Sequence, residues 1–212
     1  MSPASPHNLD IINLACTRQD RNLFSGLNFT MHNSDVLQVE GPNGSGKTSL
    51  LRMLCGLILP EEGEIRWQGI NIHKDRNLFL AHLLYIGHRP GVKDELTPRE
   101  NLQHLCRLHG SKEDIDIDAV LNKTGLYGFE DVPVRTLSAG QKRRVALSRL
   151  LFSKANVWIL DEPFTALDKA GQAFIEQLLE QHSRDGGISI ITTHQPLHIA
   201  NCTVKRIQVG NG

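Results

Sequence analysis

The run Gly41-Pro42-Asn43-Gly44-Ser45-Gly46-Lys47-Thr48 constrains this chain more than any other stretch. It follows Val36 to Glu40, a short apolar segment that reads as a strand. It leads into Lys47 to Leu57, where Leu50, Leu51, Leu54 and Leu57 recur at helical spacing. Strand, glycine-rich turn and helix in that order build a concavity of main-chain N–H groups. Glycines tolerate the dihedrals such a turn needs and let an anion approach the backbone closely. The helix starting near Gly46 adds the positive end of its dipole. Every position matches GxxxxGK[ST], so the expected ligand is a nucleoside triphosphate with Mg²⁺. Lys47 would reach the β and γ phosphates, and the Thr48 hydroxyl would ligate the metal.

Around this loop the pattern alternates between strands and helices. Residues 9–14, 27–31, 64–68 and 83–87 read as strands, with a turn at Asn33-Ser34-Asp35. Helices are expected at 97–109, 115–124 and 139–153. Val157 to Leu160 is a bare apolar run, as in a strand buried on both faces of a parallel sheet. A helix at 169–183, a strand at 188–192 and a short strand near 203–209 complete the reading. The fold class is therefore α/β, with a mainly parallel core sheet and an antiparallel β portion in front. A subdomain is inserted between the phosphate loop and residue 157. At 212 residues the chain is long enough for one such domain and short for two.

Two further constellations carry chemistry. Val157-Trp158-Ile159-Leu160-Asp161-Glu162 is an apolar strand ending in two acids. Asp161 at the strand tip can hold Mg²⁺, and Glu162 is then placed to orient and deprotonate an attacking water. Leu137-Ser138-Ala139-Gly140-Gln141, followed by Lys142-Arg143-Arg144-Val145, reads as a capped helix start with a basic first turn. That start offers free N–H groups and a hydroxyl, a second anion site. Two phosphate-binding helix starts in one chain suggest that the second serves a partner's nucleotide.

Composition excludes several classes. Lys plus Arg and Asp plus Glu number 23 each, so no net field draws the chain to nucleic acid or acidic membranes. No apolar run approaches the ~20 residues that cross a bilayer, and the first residues show no secretory signal. Cys16, Cys55, Cys106 and Cys202 are dispersed, which argues against a zinc site or disulfide framework and suits a reducing compartment. Neither Cys106 with His109 nor His194 with His198 makes a persuasive haem ligand set.

Taken together, these motifs resemble the nucleotide-binding domains of ABC transporters, from about Ile11 to Val209. Gly41–Thr48 looks like the family's Walker A motif, Leu137–Gln141 like its LSGGQ signature and Ile159–Glu162 like Walker B. Ala166-Leu167-Asp168 resembles the D-loop, and His194 stands where the family has its switch histidine. The resemblance implies an ABC ATPase fold spanning 1–212 as one domain, with a helical subdomain inserted at roughly 89–150. It also implies a nucleotide-driven, head-to-tail homodimer. Each ATP would lie between the Walker A loop of one copy and Ser138, Gly140 and Gln141 of the other. His194 would touch the γ-phosphate and Asp168 would belong to the nucleotide site.

The chain departs from the family pattern at three places. His88 occupies the position of the Q-loop glutamine, and histidine can ligate Mg²⁺ or water only when unprotonated, so activity is expected to fall in acid. No aromatic residue is present near Cys16 to Arg21 to stack on adenine, which leaves Arg18 or Arg21 for that role. Ala139 departs from LSGGQ, a minor change while Ser138 and Gly140 remain.

Finer resemblance lies in Trp67-Gln68-Gly69, in Ile86 to Lys93, in Gly128 to Val134 and in Thr193-His194-Gln195-Pro196-Leu197. These stretches are similar to the ATPase subunit of the cytochrome c biogenesis (haem-exporter type) ABC system, where the histidine at 88 is itself expected. That likeness implies ATP hydrolysis at the cytoplasmic face of the bacterial inner membrane, coupled to integral membrane permease subunits. It also implies either haem export or release of haem from a haem-handling protein. The permease would contact the region from Arg89 to Glu100. A soluble ABC ATPase acting on nucleic acid and a small P-loop kinase are the competing readings. The first lacks its usual second domain or coiled coil here, and the signature and Glu162 speak against the second.

Overall fold

A computed structural model describes residues 7–18, 21–108, 115–197 and 199–210. His109 and His198 lie outside the described residues. The elements in chain order are β1 (Asn8–Arg18), β2 (Arg21–His32), β3 (Val36–Glu40), α1 (Lys47–Leu54), β4 (Glu62–Trp67), β5 (Ile70–Asn71), α2 (Arg76–Leu80) and β6 (Leu83–Ile86). They continue with α3 (Pro98–Leu108), α4 (Ile117–Lys123), α5 (Ala139–Leu147), β7 (Val157–Asp161), α6 (Lys169–Arg184), β8 (Ile188–Thr192) and β9 (Val204–Gln208).

Two compact units are distinguished, each with its own core. The first comprises Met1–Tyr85, Ala155–Asp161 and Leu179–Gly212. It holds an antiparallel sheet of order β2-β1-β4-β5 and a second sheet of order β6-β7-β8-β3-β9. In the second sheet β3 pairs parallel with both β8 and β9, and β7 pairs parallel with β8. Every residue of β7 and of β8 is buried, and their sequences are mostly apolar, interrupted by Asp161, Ser189 and Thr192. Leu50, Leu51 and Leu54 of α1 are fully buried with Val39, Val157, Ile159 and Ile190. Each such side chain contributes about 1.5–3 kcal/mol of hydrophobic stabilisation, so the helix behind the phosphate loop is firmly seated.

The second unit comprises Ile86–Lys154 and Glu162–Leu178. Its core joins Leu102, Val120, Leu121, Leu126, Val134, Leu137 and Val145, drawn from α3, α4, α5 and the turns between them. Asp116 caps α4 by accepting from the Ala119 N–H at 2.9 Å.

Several boundaries differ from the sequence expectation. The first hairpin is longer, Asn8–Arg18 against Arg21–His32, than the strands read at 9–14 and 27–31. Its register shifts between Ile11 and Leu14 and again around Cys16, and Asn13 and Gly26 take positive φ. Such bulges break the period-2 alternation by which a strand is recognised. The helix expected over 139–153 is α-helical to Leu147 and continues as a 3₁₀ turn over Ser148–Leu151. There the Ser148 hydroxyl bonds back to the Arg144 carbonyl at 2.8 Å, a local competitor to regular helix. β5 and α2 were not anticipated at all. β5 depends on a tight turn in which Gln68 and Gly69 both have positive φ, and α2 on an Asp75 cap that accepts from Leu78 N–H.

Candidate functional site

The phosphate loop has the geometry its glycines suggest. Gly41, Gly44 and Gly46 have φ of 150°, 78° and 104°, dihedrals that side chains with a Cβ rarely adopt. A Cβ on Gly41 would stand 2.3 Å from the Val209 carbonyl oxygen, so the loop also requires glycine for space. Gly46 is the N-cap of α1, and no side chain caps that helix. The first N–H groups of α1 therefore point into the loop, where an anion is their natural partner. Lys47 is buried, its ammonium donating to the carbonyls of Gly41 at 2.6 Å and Pro42 at 3.1 Å. It is held within the loop rather than extended into solvent.

Thr48 and Asp161, 113 positions apart, are brought together: the Thr48 hydroxyl lies 3.1 Å from Asp161 Oδ2. Thr192 at the end of β8 donates to Asp161 Oδ1 at 2.7 Å, and Asp161 is 2 % exposed. A hydroxyl beside an oriented, buried carboxylate is a set of hard oxygen donors, and such a set fits Mg²⁺. Among the described residues no group of three or more His, Cys, Asp or Glu side chains gathers into a metal cluster of its own. Cys55 sits nearby, and burial together with the Asp161 charge pushes its thiol up, well out of the reactive range.

His194 follows β8 and is exposed. It lines an open cleft of about 380 Å³ together with Gln38, Glu40, Gly41, Pro42 and Thr193, so the histidine and the start of the phosphate loop share one wall. Gln38, 2 % exposed, orients the segment beyond the histidine. Its amide donates to the Gln195 carbonyl at 3.0 Å, and its oxygen accepts from Leu197 N–H at 3.2 Å. Arg18 and Arg21 pair across the tip of the first hairpin, both exposed.

The second unit contains the remaining residues of the sequence argument. Ser138 caps α5 through a full capping box: its hydroxyl accepts from Gln141 N–H at 3.2 Å, while Gln141 Oε1 accepts from Ser138 N–H at 2.9 Å. As an acceptor in the cap, the Ser138 hydroxyl keeps its own hydrogen for an incoming anion. A Cβ on Gly140 would lie 2.5 Å from the Ala166 carbonyl oxygen, so this glycine permits the backbone after Asp161-Glu162 to pass close to the helix. Asp168 accepts from Arg144 Nη2 at 2.6 Å and from Gly171 N–H at 2.8 Å. Its carboxylate is thus engaged with α5 and the start of α6. His88 is exposed on the loop after β6. Glu162 is half-buried, with φ of 52°, a left-handed conformation for a residue that carries a Cβ.

Sequence reasoning missed the roles of Gln38, Thr192 and Arg143. Arg143, one residue of the basic first turn, is 3 % exposed and donates to the carbonyls of Gly87 at 2.8 Å and Pro163 at 3.4 Å. A buried polar residue in an otherwise apolar strand could have signalled Gln38. Nothing local separates Arg143 from its neighbours Lys142 and Arg144.

Comparison with known proteins agrees with this geometry. The family model described as ABC transporter matches residues 24–165. The cytochrome c biogenesis ATP-binding export protein CcmA of Methylococcus capsulatus is 53% identical over 187 residues, covering 88% of this chain and 90% of the relative. The protein of the same name from Escherichia coli strain K12 is 48% identical over 201 residues, covering 95% and 96%. The solved structure of an ABC transporter ATP-binding protein from Pyrococcus furiosus superposes with a TM-score of 0.80 at 25% identity, covering 95% of this chain and 96% of its own. A cassette solved as a dimer in a post-hydrolysis state with ADP and Pi has a TM-score of 0.76 at 22% identity, covers 88% of each chain and shares the fold. The chain therefore belongs to the ABC transporter ATP-binding family and, within it, to the cytochrome c biogenesis ATP-binding export proteins.

Proposed function

We propose that this chain hydrolyses ATP to power integral membrane permease subunits in cytochrome c maturation, from the cytoplasmic face of the bacterial inner membrane. The observation that carries the reading is the Thr48 to Asp161 hydrogen bond beside the uncapped start of α1. A metal-ligating pair and a phosphate cradle stand ready in one unit. The family membership and its relatives' names support the pathway.

In this reading the N–H groups from Gly41 to Thr48 bind the β and γ phosphates, and Lys47 turns from the loop carbonyls toward them. Thr48 and Asp161 would hold Mg²⁺, which would supply positive charge to the phosphate oxygens. Glu162 accepts a proton from the attacking water. Water oxygen then bonds to the γ phosphorus, the bridging bond to the β phosphate breaks, and ADP and phosphate leave. His194 holds the γ-phosphate, and His88 contributes its imidazole to the water or metal.

Ser138, Gly140, Gln141 and the Asp168 segment serve the nucleotide of a second copy in a head-to-tail homodimer. The helical unit is the inserted subdomain, and its segment from Arg89 to Glu100 meets the permease. Among the described residues no helix is long and apolar enough to cross a membrane, consistent with a separate membrane partner.

The test is extraction from membranes of the native host, followed by identification of the co-purifying integral proteins and an MgATP hydrolysis assay of the complex. The expected result is hydrolysis by a complex that contains permease subunits. Recovery without integral partners, or absence of ATP binding by calorimetry with magnesium present, overturns the reading.

A further inference from the structure

Lys142, Arg143 and Arg144 follow the capping box of α5 directly, and consecutive helical positions point about 100° apart. Their side chains accordingly part company. Lys142 reaches Asp94 at 2.9 Å and Arg144 reaches Asp168 at 2.6 Å, both toward the surface. Arg143 turns inward. Its Nη1 donates to the Gly87 carbonyl at 2.8 Å and its Nε to the Pro163 carbonyl at 3.4 Å, at 3 % exposure.

The two accepting carbonyls flank the residues that matter to hydrolysis. Gly87 immediately precedes His88, and Pro163 immediately follows Glu162. Glu162 has φ of 52°, and Ala166 further along the same turn has φ of 63°. A residue with a Cβ persists in that region only where its surroundings over-determine it. Two constraints on this turn come from α5: the Arg143 bond to Pro163, and the close passage of the Ala166 carbonyl against Gly140. A guanidinium suits the task because its rigid fork presents several donors in fixed directions.

Resting on the reading of Glu162 as the base, we propose that Arg143 is a positioning residue for hydrolysis. Its guanidinium ties the His88 and Glu162 peptides to the helix that begins at Ser138. The aim of both side chains is thereby set by one buried group on the signature helix.

The experiment compares the full chain in its membrane complex with Arg143→Met, Arg143→Lys, Glu162→Gln and the double variant Arg143→Met with Glu162→Gln. Turnover, KM, ATP affinity and melting temperature are measured for each. Arg143→Met should lower kcat by roughly 10–100-fold, the scale of a reacting group displaced by about 1 Å, while KM and ATP affinity stay within about twofold. Arg143→Lys should recover part of the rate, since an ammonium can reach one carbonyl. Adding Arg143→Met to Glu162→Gln should cost clearly less than Arg143→Met costs alone, because the arginine acts in part through that carboxylate.

A purely structural arginine would lower the melting temperature and the folded fraction and leave turnover per folded site unchanged; that result, or a loss on top of Glu162→Gln as large as the loss from Arg143→Met alone, overturns the proposal. If Arg143→Met does not fold, Arg143→Lys decides, and parental turnover in that variant overturns it. A parent complex that neither binds nor hydrolyses ATP defeats the reading of the site itself. A parent that does both, with Arg143→Met equally fast, defeats this inference and leaves that reading intact.

Discussion

The Thr48 hydroxyl stands 3.1 Å from Asp161 Oδ2, joining the first turn of α1 to the end of β7. The contact places the pair proposed to hold Mg²⁺ beside the phosphate loop. Thr48→Val keeps the shape and removes the hydroxyl. It should weaken MgATP binding about tenfold or more, the scale of a hydrogen bond to a charged group, and leave metal-free ATP binding nearly unchanged. Calorimetry with and without chelator checks this, and equal losses in both conditions would remove the metal role.

Lys47 is held by the Gly41 and Pro42 carbonyls at 2.6 and 3.1 Å. Lys47→Ala removes a charge-assisted donor to phosphate, so the dissociation constant for ATP should rise by roughly 10–100-fold. Unchanged affinity would mean that the lysine serves the empty loop and not the nucleotide.

Glu162→Gln keeps the volume and removes the carboxylate proposed as the base. Hydrolysis should fall by about 10²–10⁴-fold with ATP binding intact. With MgATP present the variant should accumulate as a dimer in sedimentation experiments. Hydrolysis at the parental rate would show that another group takes the proton.

Gly140 lies where a Cβ would meet the Ala166 carbonyl at 2.5 Å. Backbone on both sides leaves little room to yield, so Gly140→Ala should destabilise the protein by about 1–3 kcal/mol. A thermal or urea transition reads the effect directly, and an unshifted midpoint would show that α5 moves aside without strain.

His182 stacks on Trp158 with ring centroids 3.8 Å apart, and burial lowers its pKa to about 4. In the unfolded chain the same group titrates near 6.5. Between these values the unfolded state binds more protons, so stability is complete above about pH 6.5 and declines as pH falls toward 4. The shift corresponds to a loss of about 3 kcal/mol from this one group. Urea midpoints across that window should show the decline, and His182→Phe, which preserves the stack, should flatten it.

How far the sequence reached differs between parts of the molecule. Gly41 to Thr48 could be read position by position, because a phosphate cradle depends on neighbouring dihedrals and one helix start, all local. β7 and β8 were legible for a similar reason: burial on both faces leaves a mainly apolar run, continuous from Val157 to Leu160. The first hairpin was read too short where bulges at Asn13 and Cys16 interrupt alternation.

The chain itself determined the phosphate-loop motif, the order of most strands and helices, and Lys47, Thr48, Asp161 and Glu162 as candidates for the chemistry. Tertiary structure decided which distant groups meet. Thr192 orients Asp161, Gln38 holds the segment after His194, and Arg143 turns inward while its neighbours face outward. Those outcomes depend on contacts across tens to hundreds of positions, where direction and distance in space matter. Residue type and spacing carry no record of either.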